Sequence, residues 1–374
     1  MNLALSDEQE FLREAARGAL SRFATVEAAR EALEQGPDAL PDLWSVAQEA
    51  GWTGLLIDEE HGGAELEAFD AMLVLAECGR VLAGVPLLGH LPATALLASS
   101  DEAPYLAELA AGEKRACYLP ACPPSDLDAS WTVDPESGAG RSPAPSAAPA
   151  GDGLEISGRL HFVPDAPGAD LYVGVADLDG EAVGFAVEAA QVTVTAVPGY
   201  DATRRLGHVS LAGAKATRLS ADAAALAGAW HLTQALIAAE SVGTVETALD
   251  VSVEYAKERH TFGRAIGSYQ AVKHSLTEVL RQLELSRSLL YYAGWAREGN
   301  PEEFPLAANA ARSMAGRALD TAARTMISVH GGIGATWEHD APLYFRRAQL
   351  TRRLVGGTNL ATDRVAGSLI EQAA

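Results

Sequence analysis

Three long helical patterns follow one another in the last part of this 374-residue chain, and they constrain its fold more than any other feature. The first runs from Asp222 to about Glu258, with Leu226, Trp230, Leu236, Ile237, Val242, Val245 and Leu249 along its apolar faces. The second runs from Ser268 to about Glu298 and the third from Pro301 to Val329. Helices of this length joined by short connectors pack antiparallel, so a bundle is predicted. Asp340 is placed to cap a fourth helix, with Pro342 tolerated in its first turn. That helix ends at Gly356-Gly357, and Asn359 to Gln372 reads as a last one.

The opening also reads as helices, from Leu5 to about Gly112. Ser6 and Gln9 form a capping-box pattern, and Phe11, Leu12, Ala15, Ala19 and Leu20 give an apolar stripe. Further helices are expected at Leu40 to Ala50, after the Gly62-Gly63 turn to about Cys78, at Ala93 to Ser99 and at Glu102 to Ala111. From about Glu113 the texture changes. DPESGAGRSPAPSAAPAGDG is rich in Pro, Gly, Ser and Ala and reads as an exposed, mobile loop. Strand-like runs follow at Leu154 to Ile156, Arg159 to Val163, Asp170 to Val175, Ala182 to Val187, Val192 to Val197 and His208 to Leu211. Short, β-branched and broken by turn pairs such as Asp179-Gly180, they predict a small β-barrel. The fold class is therefore mainly α with a central β-barrel domain. A helical N-domain covers 1–112, the β middle domain 113–220 and a four-helix-bundle C-domain 221–374. No internal repeat is visible.

Charge and cysteine usage narrow the function classes. With 28 basic against 50 acidic side chains the formal net charge is −22. That balance argues against a nucleic-acid binder and against a basic helix lying on a membrane. An anionic substrate would need a locally basic pocket, for which Arg204-Arg205, Arg346-Arg347 and Arg352-Arg353 are candidates. The N-terminus lacks a basic region followed by an apolar run, and no apolar stretch approaches a membrane span, so cytoplasmic residence is expected. Cys78, Cys117 and Cys122 are too few for a disulfide framework and, with the nine histidines scattered, suggest structural thiols and no metal site.

The stretch YAKERHTFGRAIGSYQAVKH, Tyr255 to His274, carries the first chemistry. Arg259 sits where one helix runs out, a short Gly-containing connector spans Gly263 to Gly267, and Gln270 lies in the first turn of the next helix. A guanidinium and an amide at a helix–helix corner suit an anionic, hydrogen-bonding ligand. Alternatively, Arg259 complements the C-terminal dipole of its helix.

Together with VHGGIGATWEHDAPLYFRRA (Val329 to Ala348), LSDEQEFLREAARGAL and IDEEHGGAELEAFDAMLVLAECGR, this stretch closely resembles the FAD-dependent acyl-CoA dehydrogenase family over nearly the whole chain. The resemblance implies a flavoprotein oxidoreductase of lipid metabolism that desaturates an acyl-CoA thioester at its α,β bond and passes electrons to an electron-transfer flavoprotein. It implies that Arg259, Thr261, Phe262 and Gln270 grip the pyrophosphate and adenosine half of an FAD lying mostly in a neighbouring subunit. The Gly331-Gly332-Ile333-Gly334 turn plays a similar part, Thr358 matches a threonine beside the flavin, and Ser328 stands where a Gln is common. A homo- or hetero-oligomer with a homologous chain is thus expected. The segment ISGRLHFVPDAPGADLYVGVA resembles the one passing along the flavin ring.

The chain departs from the family at the base. Most members hold a glutamate two residues before the threonine that Thr358 matches, where this chain has Gly356; a minority hold it where this chain has Thr233. The family's Thr-Glu-Pro motif is replaced by LPACPPSDLDAS. The nearest substitute base is Glu240, two helical turns beyond Thr233 on almost the same face. The other reading of Glu240 is a structural carboxylate paired with an Arg across a subunit interface. Glu338 and Asp340 read as capping and docking residues. Three functions remain open: a catalytic acyl-CoA dehydrogenase using Glu240, a non-catalytic partner in a bacterial two-chain assembly, and an offshoot oxidising a small metabolite with flavin and oxygen. DATRRLGHVSL, Asp201 to Leu211, resembles the two-chain type.

Overall fold

The computed structural model describes residues 4–101, 103–121, 123, 124 and 142–373. Six helices come first: α1 (Asp7–Leu20), α2 (Thr25–Gln35), α3 (Trp44–Glu49), α4 (Ala68–Arg80), α5 (Leu87–Ala98) and α6 (Leu106–Ala110). The capping box at α1 forms, with the Ser6 hydroxyl accepting from the Gln9 amide at 3.2 Å and the Gln9 side chain accepting from the Ser6 amide at 3.1 Å. The buried face of α1 differs from the predicted stripe. Ala16 and Leu20 are buried, Leu12 and Ala19 half-buried, while Phe11 is 72% exposed and Ala15 is exposed too. A stripe started from Leu12 keeps helical spacing, and Phe11 falls outside it. α2 lacks a side-chain cap, so no start signal marked it. α5 begins upstream of the predicted Ala93 and carries Pro92 in its interior.

The middle strands are β1 (Ala116–Leu119), β2 (Ser146–Ala150), β3 (Gly153–Pro164), β4 (Leu171–Leu178), β5 (Glu181–Glu188), β6 (Val192–Val197) and β7 (Leu206–Leu219). Pairings run β4 to β2, β3, β7, β5 and back to β4, which closes the sheet into a barrel. β1 shares the outer edge of β4 with β2, and β6 adds to β7. Two predicted strands merge into β3 across bulges between Ile156 and Ser157 and between Leu160 and Val163. Part of the predicted mobile loop is in fact β2, since the backbone of these small residues pairs with β3 whatever their side chains bury. The first part of that loop, 134–141, lies outside the described residues, as do Cys122 and 125–130 of the substituted motif.

Five helices finish the chain: α7 (Ala223–Glu258), α8 (Gln270–Gly299), α9 (Phe304–His330), α10 (Ala341–Thr351) and α11 (Gly357–Ala373). Asp222 caps α7, accepting from the Ala225 amide at 2.8 Å. The helices before and after the barrel share one core, in which Met72 and Leu75 of α4 join Trp230 and Leu236 of α7. α4 and α7 cross very closely. A Cβ on Gly243 would collide with the Ala76 carbonyl, and one on Gly79 with the Glu240 carbonyl. The Thr244 hydroxyl donates to the Gly79 carbonyl at 3.0 Å across this crossing. Among the described residues no helix is long and apolar enough to cross a membrane, and no cluster of His, Cys, Asp and Glu could hold a metal ion. Cys78 and Cys117 are buried free thiols.

Asp340 departs from its expected role. It occupies the N-cap position of α10 but has helical dihedrals, and its side chain pairs with Arg30 of α2 in place of capping. The first amide of α10, on Ala341, donates instead to His339 Nδ1 at 3.0 Å.

Candidate functional site

The connector after α7 is a hairpin, not a simple loop. β8 (His260–Thr261) pairs with β9 (Arg264–Ala265), and Ile266–Ser268 forms a 3-10 turn before α8. Phe262 and Gly263 form its two-residue tip, with φ of 51° and 80°. Both positive values fit the turn type that matches the twist of a tight hairpin. For Phe262 that conformation is strained, and its ring is 93% exposed. The Tyr269 hydroxyl donates to the Thr261 carbonyl at 3.0 Å, and the Arg264 guanidinium lies 4.0 Å above the Tyr269 ring. These contacts fix the hairpin against the start of α8. Arg259, at the C-cap of α7, is exposed and its side chain pairs with no described residue.

A cavity of about 640 Å³ opens between this hairpin, α8 and the end of α9. Thr261 and Phe262 line it with Ile266, Tyr269, Val272 and Ser275 on one side and Arg324, Thr325 and Ser328 on the other. Arg259 and Gln270 flank it in sequence without lining it. Arg324, Tyr269 and Ser275 were missed from the sequence; helical spacing from Gln270 and back from Gly331 is the signal that could have found them. The Gly331 turn closes α9, its amide donating to the Ile327 carbonyl at 3.0 Å. Its φ of 63° and ψ of −136° favour glycine. A Cβ on Gly331 or Gly332 would meet nothing within 4 Å, so the turn is open on its outer side. The amides of Gly332 and Ile333 make no hydrogen bond to a described residue.

Thr358 lies elsewhere. It lines a separate cavity of about 530 Å³ with Arg281 and Gln282 of α8 and Gly316 and Arg317 of α9. Its hydroxyl is buried without a hydrogen-bond partner among the described residues. The two cavities share the α8–α9 groove. The preceding turn is left-handed at three successive residues, with φ of 50° at Val355, 78° at Gly356 and 74° at Gly357. Gln234 holds it by donating to the Val355 carbonyl at 3.0 Å, and the buried Arg312 guanidinium donates to the Thr351 carbonyl at 2.5 Å. A Cβ on Gly356 would collide with the Leu360 side chain. Thr233 is buried and donates its hydroxyl back to the Ala229 carbonyl at 2.8 Å.

Glu240 is 3% exposed and both carboxylate oxygens are bound by guanidinium groups. Oε2 pairs with Arg204, and Oε1 accepts from Arg347 at 2.7 Å. Asp201 accepts from Arg347 at 2.6 Å, and the Thr203 hydroxyl also meets that guanidinium. Burial alone would raise the Asp201 carboxyl, but Arg347 and Arg204 outweigh it and hold it below its ordinary 3.8. The partners of Glu240 therefore lie within this chain, not across an interface. The same network removes Arg204 and Arg347 from the expected basic patches. Arg346 stacks between Tyr200 and Trp337, 4.6 and 4.9 Å from their ring centres.

The architecture and motifs match known proteins. Family profiles described as acyl-CoA dehydrogenase, N-terminal domain, and acyl-CoA dehydrogenase, C-terminal domain, match residues 6–121 and 203–370. The chain is 32% identical to acyl-CoA dehydrogenase IpdE2 of Mycolicibacterium smegmatis over 357 residues, covering 94% of this chain and 96% of that one. Among solved structures it resembles the ChsE4-ChsE5 complex from Mycobacterium tuberculosis, with 26% identity, a TM-score of 0.85 and 99% of both chains covered. It also resembles a single-substitution variant of the Tcur3481-Tcur3483 steroid ACAD, with 26% identity, a TM-score of 0.86 and 98% and 99% covered. With a relative this similar along nearly its whole length, the chain belongs to the acyl-CoA dehydrogenase family.

Proposed function

We propose that this chain is one subunit of a heteromeric, FAD-dependent acyl-CoA dehydrogenase, in which a homologous partner supplies the base and the flavin-ring pocket. The reaction would be α,β-desaturation of an acyl-CoA thioester, with an electron-transfer flavoprotein as the electron acceptor. The observation that carries the reading is the turn at Gly356. Glycine supplies no carboxylate where the family places its base, and the left-handed backbone there, with Leu360 packed against it, disfavours a side chain. Glu240 offers no ready replacement, because a buried carboxylate paired with two guanidinium groups is held in its ionised form and is a weak base. None of the cavities described above is lined by Glu240, Thr233 or Gly356.

FAD, when bound, supplies the hydride acceptor of the family reaction. This chain's donors suit its anionic half. Arg259 brings an exposed guanidinium, Thr261 a hydroxyl at the cavity wall, Gln270 an amide, and the turn after Gly331 the unpaired N–H groups of Gly332 and Ile333. Phe262, held in a strained conformation at the hairpin tip, would present its ring to the same ligand or its subunit. Thr358, on the neighbouring cavity, would contact the flavin side. The two similar structures named for a pair of chains, ChsE4-ChsE5 and Tcur3481-Tcur3483, favour a two-chain assembly here as well.

The test is co-expression with a homologous acyl-CoA dehydrogenase chain and purification of the complex. Arg259→Gln should raise the FAD dissociation constant about tenfold, the loss of one charge-assisted contact, read as lowered occupancy at sub-saturating free FAD. Unchanged occupancy in a complex that still assembles would remove the basis for the reading.

A further inference from the structure

Three rings from three elements pack at tilted angles of 32° and 43° at the base of the Gly331 turn. The His330 ring, buried at the end of α9, lies between Tyr255 of α7 at 4.3 Å and His339, just before α10, at 4.1 Å. His330 Nδ1 donates to the Met326 carbonyl at 2.7 Å, which fixes its tautomer and ring plane. Tyr255 stands one turn before Arg259, whose amide donates to the Tyr255 carbonyl at 2.9 Å. The turn folds back on these rings: a Cβ on Gly334 would sit 2.8 Å from the His330 Cβ. The rings therefore connect the helix end that carries Arg259 to the turn that carries the free Gly332 and Ile333 amides.

We infer that His330 is a positioning residue that sets the spacing between the Arg259 helix end and the Gly331-Gly332 turn, acting through Tyr255. Neither sequence motif assigned it a part. The inference rests on the proposed cofactor cradle for its consequence, but the coupling itself can be read without cofactor. His330 is 4% exposed and has one nitrogen spent inside its own helix, so it offers a ligand little surface directly. Its effect must pass through what it holds apart.

The experiment is hydrogen exchange on the isolated chain, with FAD occupancy of the co-expressed complex as a second readout. His330→Ala should speed exchange by about tenfold or more in two separate segments, 331–336 and 259–265, while 280–295 of α8 stays protected. His330→Phe, which keeps a flat ring in the slot, should restore both. Tyr255→Leu, made on the other helix, should speed exchange in 331–336. If His330→Ala loosens only its own turn, or Tyr255→Leu leaves that turn unchanged, the inference is overturned. Coupled exchange with unchanged FAD occupancy would leave the positioning intact and defeat the cradle reading instead.

Discussion

Replacing Glu240 with Gln separates the two roles this residue could have. In the structure it joins α7 to Arg204, in the connection between β6 and β7, and to Arg347 of α10. Losing its charge leaves two buried guanidinium groups sharing Asp201, which is 2.6 Å from Arg347 and 3.8 Å from Arg204. The Gln amide nitrogen would also face a guanidinium N–H, donor against donor. Removing one partner from a buried pair costs about 3–5 kcal/mol. An unfolding entropy of ~2.1 cal/mol/K per residue gives roughly 0.8 kcal/mol/K for a chain of this length, so the melting temperature should fall by roughly 4–6 °C. Differential scanning calorimetry on the isolated chain reads this directly. In the co-expressed complex, assayed well below the melting point, turnover should change by less than about tenfold, whereas loss of a general base costs ~10²–10⁴. An unchanged melting temperature together with a hundredfold loss of turnover would refute the structural role and restore Glu240 as the base.

Other consequences follow from single contacts. Asp165 is buried, accepts from the Gly89 amide at 2.9 Å, and burial pushes its carboxyl up to about 6. A raised carboxyl stabilises the fold fully below pH 3.8 and loses that contribution as pH rises through about 6, so Asp165→Asn should be more stable than the parent at pH 8, by up to ~3 kcal/mol, with the gap closing as pH falls toward 3.8. Burial moves the opposite way for His90 and His231, lowered to about 4 and 3, so acidification below pH 6.5 should weaken the fold through them. Gly356→Glu should not install activity; strain and the Leu360 contact should cost about 2–4 kcal/mol, seen as a lower melting temperature without flavin bleaching. Gly243→Ala, aimed at the Ala76 carbonyl where α4 and α7 cross, should cost about 3 kcal/mol or more in urea denaturation.

Periodicity in the sequence was sufficient for the long elements. α7 to α9 each end within a few residues of their predicted limits, because capping by Asp222 and the break at Gly331 are local signals. The strands of the barrel were legible from alternation and turn pairs, while β1 and β2 were not, since β1 is buried on both faces and β2 is made of small residues. At the site, two of the residues picked out by motif, Thr261 and Phe262, line one cavity that Arg259 and Gln270 only flank in sequence, while motif spacing could not show that Thr358 opens onto another. Glu240 shows the limit most sharply. Its apolar surroundings in sequence look the same whether a carboxylate waits for substrate or is neutralised by guanidinium groups 36 and 107 residues away. Only the fold brings Arg204 and Arg347 to it.

Flavin stoichiometry of the chain purified alone bears most directly on the central claim. Visible absorbance should show much less than one FAD per chain and no bleaching by acyl-CoA thioesters, with bound, bleachable FAD appearing once the homologous chain is co-expressed. One tightly bound FAD per isolated chain, reduced by an acyl-CoA, would contradict the account.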